Sequence, residues 1–78
     1  MAKVQDIKEH MDVIGSDGEH VGTVDRLKGE DRIVLTKSDP KSGGEHHIIP
    51  LAWVASVDAK VHLNKSSRDA FVQWQAAA

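Results

Sequence analysis

Asp12-Val13-Ile14-Gly15-Ser16-Asp17-Gly18-Glu19-His20-Val21-Gly22-Thr23-Val24-Asp25-Arg26-Leu27 is the stretch whose reading decides the fold. Two apolar-bearing segments flank the Asp17-Gly18 pair, and glycine accepts the positive φ that a type I′ turn demands. The pattern predicts a tight β-hairpin. In its second arm Val21, Val24 and Leu27 break strict alternation, with Gly22 between the first two. A glycine at such a place predicts a bulge or sharp coil, the device that re-aims side chains when a small sheet closes on itself.

Working outward, Lys28-Gly29-Glu30 reads as the next turn and Asp31-Arg32-Ile33-Val34-Leu35-Thr36-Lys37 as the clearest strand. Its period of two puts Ile33 and Leu35 on one face and Arg32, Val34 and Thr36 on the other. Ser38–Glu45 is a long loop dense in breakers. His46-His47-Ile48-Ile49-Pro50 resumes as a strand, which Pro50 ends or confines to an edge. Leu51-Ala52-Trp53-Val54 reads as a 3₁₀ turn plugging the end of the sheet, and Ala55–Asp58 with Lys60–Leu63 as a second hairpin across Asp58-Ala59. Upstream, Asp6–Met11 predicts one helical turn with Asp6 as N-cap, and Ile7 and Met11 cover one end of the sheet. Downstream, Ser66 and Asp69 resemble a capping box with Asp in the usual Glu position, and Ala70, Phe71 and Trp74 share a helix face. Ile33, Leu35, Ile49, Leu51, Val61 and Leu63 form the expected core.

The result is a mainly β fold, a single domain over residues 1–78. It divides into an N-terminal extension (1–11), a small barrel of five or six short strands (12–63), a C-terminal helix (64–75) and a tail (76–78). At 78 residues, 40% hydrophobic and 28% charged, the chain has a globular balance and a small core. A net charge of −2 creates no general attraction for nucleic acid, although protonating the five histidines would reverse its sign. Lys60, Lys65 and Arg68 near the helix start, and Lys37 and Lys41 beside the long loop, are interleaved with Asp39, Asp58 and Asp69. That is a solvated surface and no nucleic-acid stripe. Cysteine is absent, so stability rests on packing or self-association. With no signal-peptide core and no run of membrane-spanning length, the expectation is a cytoplasmic protein without membrane insertion.

This order of elements resembles the PRC-barrel family, and more closely a group of short, uncharacterised bacterial proteins on the same plan. The resemblance is carried by Val13–Glu19, Val21–Asp25 and the run Ile48-Ile49-Pro50-Leu51-Ala52-Trp53-Val54, with Thr36–Pro40 and His46-His47 pointing to the short group. It covers the chain from about Ile7 to Trp74. It implies a β-barrel and a role as an adaptor. Elsewhere in the family such barrels contact a membrane photosystem or a ribosomal protein, but no residue here matches those partners.

The histidines are the candidates for chemistry. His46, His47 and His62 are the candidate metal ligands, with His10, His20, Asp39 or Glu45 as recruits. Adjacent strand residues point to opposite faces, however, so His46 and His47 do not readily share one ion, and no H-x-x-x-H or H-x-H spacing supports a site. One of the pair is expected to face inward or to tie down the Ser38–Glu45 loop. The reading therefore assigns no metal and no cofactor. The serines sit at turns and caps, where their hydroxyls serve the backbone, and Gly43-Gly44 lacks a helix behind it to cradle phosphate. No acid, base and nucleophile come together by spacing, so no enzyme is expected. Trp53, Phe71 and Trp74 are the candidate interaction residues, their other reading being core and helix seal. A non-enzymatic interaction module with an unknown protein partner, possible as a homodimer, is the first expectation. A ribosome- or RNA-associated accessory protein is the alternative, and a small-ligand or metal-binding domain the third.

Overall fold

Short alternating runs separated by glycine turns produce short strands, and one long strand joins them. The computed structural model describes residues 7–29 and 31–76. In chain order it contains β1 (Asp12–Ile14), β2 (His20–Lys28), β3 (Arg32–Leu35), β4 (His47–Pro50), β5 (Val54–Val57), β6 (Val61–Leu63), α1 (Ser67–Gln73) and β7 (Gln75–Ala76). Two 3₁₀ turns, Pro40–Ser42 and Leu51–Trp53, flank β4. The strands form one mixed sheet in the order β5-β6-β1-β2-β3-β4-β7, in which only β1 and β6 run parallel.

The mainly β expectation holds, with two corrections. There are seven strands where five or six were expected, because Gln75–Ala76 pairs with His47 and Ile48 instead of continuing a helix. The sheet also does not close into a barrel: β5 and β7 end it without pairing to each other. Closure needs the two end strands to share a ladder, and β7 is only two residues long.

The β1–β2 hairpin forms with a different turn. Gly15 and Gly18 close it, Gly18 N–H donating to Gly15 O at 3.0 Å and Gly15 N–H to Glu19 O at 2.8 Å. Gly18 takes φ +81°, but among the described non-glycine residues only His10 has positive φ. A type I′ turn needs positive φ at both central residues, so Asp17-Gly18 does not make one. The expected bulge forms beside Gly22. The β1–β2 register skips Val21, and a second bulge lies where the β2–β3 register skips Asp25. The missing side chain of Gly22 admits Leu35, whose Cδ1 would stand 3.0 Å from a Cβ at position 22. With a bulge in each ladder, the nine-residue β2 bends and serves both halves of the sheet.

Ile33, Leu35, Ile49, Val61 and Leu63 are buried as expected, while Leu51 is half-buried at the rim. Ile7, Val13, Val21, Val24 and Ala70 complete the core. Val34, assigned to the outward face, is 1% exposed. It does sit on the face opposite Ile33 and Leu35, but its cross-strand neighbours Arg26 and Ile48 have longer side chains that flank it. Pro50 ends β4 without confining it to an edge, since β4 pairs on both sides, as β6 does.

Ser66 caps α1 through its Oγ, which accepts from Asp69 N–H at 3.2 Å. The helix is shorter than the expected 64–75, because Trp74 leaves it in an extended conformation at φ −67°, ψ 158°. Residues 8–11 form a turn with His10 at φ +68° where a helical turn was expected, and Ile7 and Met11 pack on the core. The expected N-cap Asp6, Glu30 of the expected turn and tail residues 77–78 lie outside the described residues. No described helix is long and apolar enough to cross a membrane.

Candidate functional site

Asp39, a possible recruit in the metal reading, is a turn former: its Oδ1 accepts from Lys41 N–H at 2.8 Å and caps the Pro40–Ser42 turn. Its other oxygen does more. Oδ2 accepts from His20 Nε2–H at 2.6 Å and from Thr23 Oγ1–H at 2.7 Å, both on β2. The Asp39 side chain is 3% exposed while His20 is 36% exposed, so the carboxylate is the buried hub. Burial pushes the Asp39 carboxyl upward, but the bonds from Thr23, Lys41 N–H and His20 outweigh it and hold the group below 3.8. Ser42 continues the network. Its Oγ lies 2.7 Å from both Lys37 O and Asp39 O and accepts from Gly44 N–H at 3.1 Å. The long loop is thereby tied to β2 by buried polar contacts.

The histidines are dispersed. His46 Nδ1 lies 3.3 Å from Lys37 N and 3.2 Å from Leu35 O, anchoring the strand that enters the loop. His47 turns inward, 8% exposed, and stacks on Trp74 with centroids 3.8 Å apart and planes 13° from parallel. His47 Nδ1 is buried and has no hydrogen-bond partner. His62, on β6, donates from Nε2 to Asp58 at 2.9 Å, across the hairpin turn that Asp58 also caps through Lys60 N–H. Hydrogen bonds from Lys60 N–H and His62 hold the Asp58 carboxyl below 3.8. Among the described residues no three of His, Asp and Glu gather where a metal ion would sit. Candidates His46, His47 and His62 therefore stand in three separate environments.

The aromatic candidates divide in the same way. Phe71 meets Trp74 edge-on at 4.9 Å, and both pack against the core beside His47. Trp53 also packs against the core but away from that pair, half-buried, with Lys65 Nζ 5.4 Å from its ring centroid. Strand alternation explains the division. His47 and Ile49 face the core, so Ile48 and Pro50 face out, and Trp74 turned inward leaves Gln73 and Gln75 on the outside. Arg32 lies opposite Pro50 and Gln75 opposite Ile48. These outward residues and Trp53 line a groove of about 200 Å³. A second groove of about 220 Å³ lies between residues 7–9 and Val24, Arg26 and Leu27.

Residues 7–71 match a family described as uncharacterised proteins conserved in bacteria, DUF2171. The chain belongs to that family. The DUF2171 match takes in strands β1 to β6 and the His20–Asp39–Thr23 network, and it ends within α1. No curated protein matches the chain.

The network and the groove were unequally legible. Asp39 before Pro40 signals a cap, since proline suits the first position of a helical turn. Its bonds to His20 and Thr23 had no such signal, because they span 19 and 16 residues. Asp17 was likewise a turn residue in sequence. In the fold its Oδ2 accepts from Ser67 Oγ–H at 2.8 Å and its Oδ1 from Ser67 N–H at 3.2 Å, joining the hairpin to the helix start. The Ser67 hydroxyl bond is the main cause holding the Asp17 carboxyl below 3.8.

Proposed function

We propose that this domain is a non-enzymatic protein-interaction module of PRC-barrel-like type that acts in the cytoplasm. One observation carries the reading: Asp39, His20, Thr23, Ser42, His46 and His62 are engaged in contacts that hold loops and turns in place, while a groove that includes Trp53 faces outward. Asp39, His20, Thr23 and Ser42 fasten the loop, and His46 and His62 fasten strand ends. Trp53, Ile48 and Pro50 remain on the groove surface. The barrel-like comparison is supported by β2, which bends at its two bulges and serves both halves of the sheet.

Affinity capture on the full chain from a bacterial lysate, with and without ribonuclease, tests the proposal. A stoichiometric protein that survives ribonuclease and is competed by soluble domain supports it. Capture of ribosomal RNA, lost with ribonuclease, overturns it in favour of an RNA-associated accessory role.

A further inference from the structure

A groove lies on the outer face of β3, β4 and β7. Its lining is Arg32, Ile48, Pro50, Trp53, Gln73 and Gln75. Arg32 is the single charged residue among these, in a chain that carries 12 Asp and Glu and a net charge of −2. Lys65, over the Trp53 ring, adds a second cation at that end. No described carboxylate lines the groove, so its potential favours an anion.

Size selects among anions. About 200 Å³ is less than the roughly 300–1,000 Å³ of small-molecule and cofactor sites, and it accommodates about one large apolar side chain. Ile48, Pro50 and the Trp53 edge supply the apolar floor for that side chain. Gln73 and Gln75 each carry an amide donor and acceptor, the groups that pair with a peptide backbone. Gln75 also belongs to β7, the last strand of the sheet, whose outer edge has no strand partner among the described residues.

We propose that this groove binds an extended segment of a partner protein bearing one large apolar side chain beside an acidic one. The apolar side chain enters between Ile48, Pro50 and Trp53, the carboxylate meets Arg32, and Gln73 and Gln75 pair with the segment's backbone. The proposal rests on the interaction-module reading and gives that reading its partner chemistry.

The test uses the full ¹⁵N-labelled chain and two pools of end-blocked octapeptides. One pool fixes a glutamate two positions before a leucine and leaves the other positions degenerate. The second replaces the glutamate with lysine. The expected result is saturable shifts of the Trp53 indole N–H and the Gln73 and Gln75 side-chain amides with the glutamate pool. The lysine pool should bind about three- to fivefold more weakly, the range of a partly exposed ion pair. Arg32→Glu, an exposed site, should invert the preference while leaving the remaining spectrum in place. Equal shifts by both pools, shifts confined to other surfaces, or no shift with either pool would overturn the groove assignment. A protein captured from lysate and undiminished by Arg32→Glu would leave the interaction reading standing without this groove.

Discussion

Asp39 shows how one side chain settles the conformation of a loop. Its carboxylate takes a backbone N–H on one oxygen and His20 and Thr23 on the other, within a side chain that is 3% exposed. Hydrogen bonds to a charged buried group contribute more than neutral ones. Asp39→Ala should therefore lower stability by about 2 kcal/mol, measured by urea melts, and release the 38–45 amides to hydrogen exchange. The pH dependence follows from the direction of the shift. The folded carboxyl ionises more readily than the unfolded one, so its contribution is complete above the ordinary value of 3.8 and is lost as pH falls through the lower folded value. The gap between wild type and Asp39→Ala should narrow as pH falls below about pH 4. A gap that narrows between pH 5 and 7 would assign the latch to another group. Two glycines offer a paired test. A Cβ at Gly15 would stand 2.5 Å from Ser67 N, whereas one at Gly18 meets nothing within 4 Å and only the φ of +81° opposes it. Gly18→Ala should cost about 1 kcal/mol, and Gly15→Ala about 2–3 kcal/mol because the helix start must move. Equal midpoints for the two variants would contradict the docking of α1 on the hairpin.

At the scale of elements, β7 is the departure with most consequence. Two residues of pairing are too few to hold a strand by themselves. Its anchor is Trp74, which leaves α1 extended, stacks on His47 and meets Phe71 edge-on. Trp74→Ala should cost about 2–4 kcal/mol and detach β7, exposing to exchange the β4 amide that faces β7 while β1 and β6 stay protected. Uniform loss of protection across all strands would mean that Trp74 supports the whole core. The helix stripe Ala70, Phe71 and Trp74 packs against this chain's own core, with Phe71 and Trp74 half-buried.

For the whole molecule, one small core carries both halves of the sheet. Ile33 and Ile49 are directly paired across β3 and β4, and Leu35 fills the space left by Gly22. Leu35→Ala or Ile49→Ala should each cost about 2–5 kcal/mol, enough to unfold much of a marginal 78-residue domain, and circular dichroism melts measure it directly. Unchanged midpoints in both would show that the inward face is elsewhere. The homodimer expected from the sequence has its route at the sheet ends, since α1 packs on its own core. Each of β5 and β7 keeps one edge without a strand partner among the described residues. Sedimentation equilibrium should show a concentration-dependent mass above that of one 8.5 kDa chain. A single-chain mass up to several hundred micromolar would remove the dimer.

What the sequence by itself determined is local. Alternation at Ile33 and Leu35, glycine at position 18, the proline-bounded run ending at Trp53 and the Ser66 cap each depend on near neighbours. Strand period, turn strain and capping act over a few residues, and these features were legible for that reason. Tertiary structure decided the rest. Whether the sheet closes depends on register summed through bulges at Val21 and Asp25, which no single turn encodes. Val34 is buried by strands on either side of it, and Trp74 is drawn out of the helix by His47. The Asp39 and Asp17 bonds join residues 16, 19 and 50 positions apart. A carboxylate in a turn looks the same in sequence whether it faces water or another strand. Its role follows from what the completed fold places beside it.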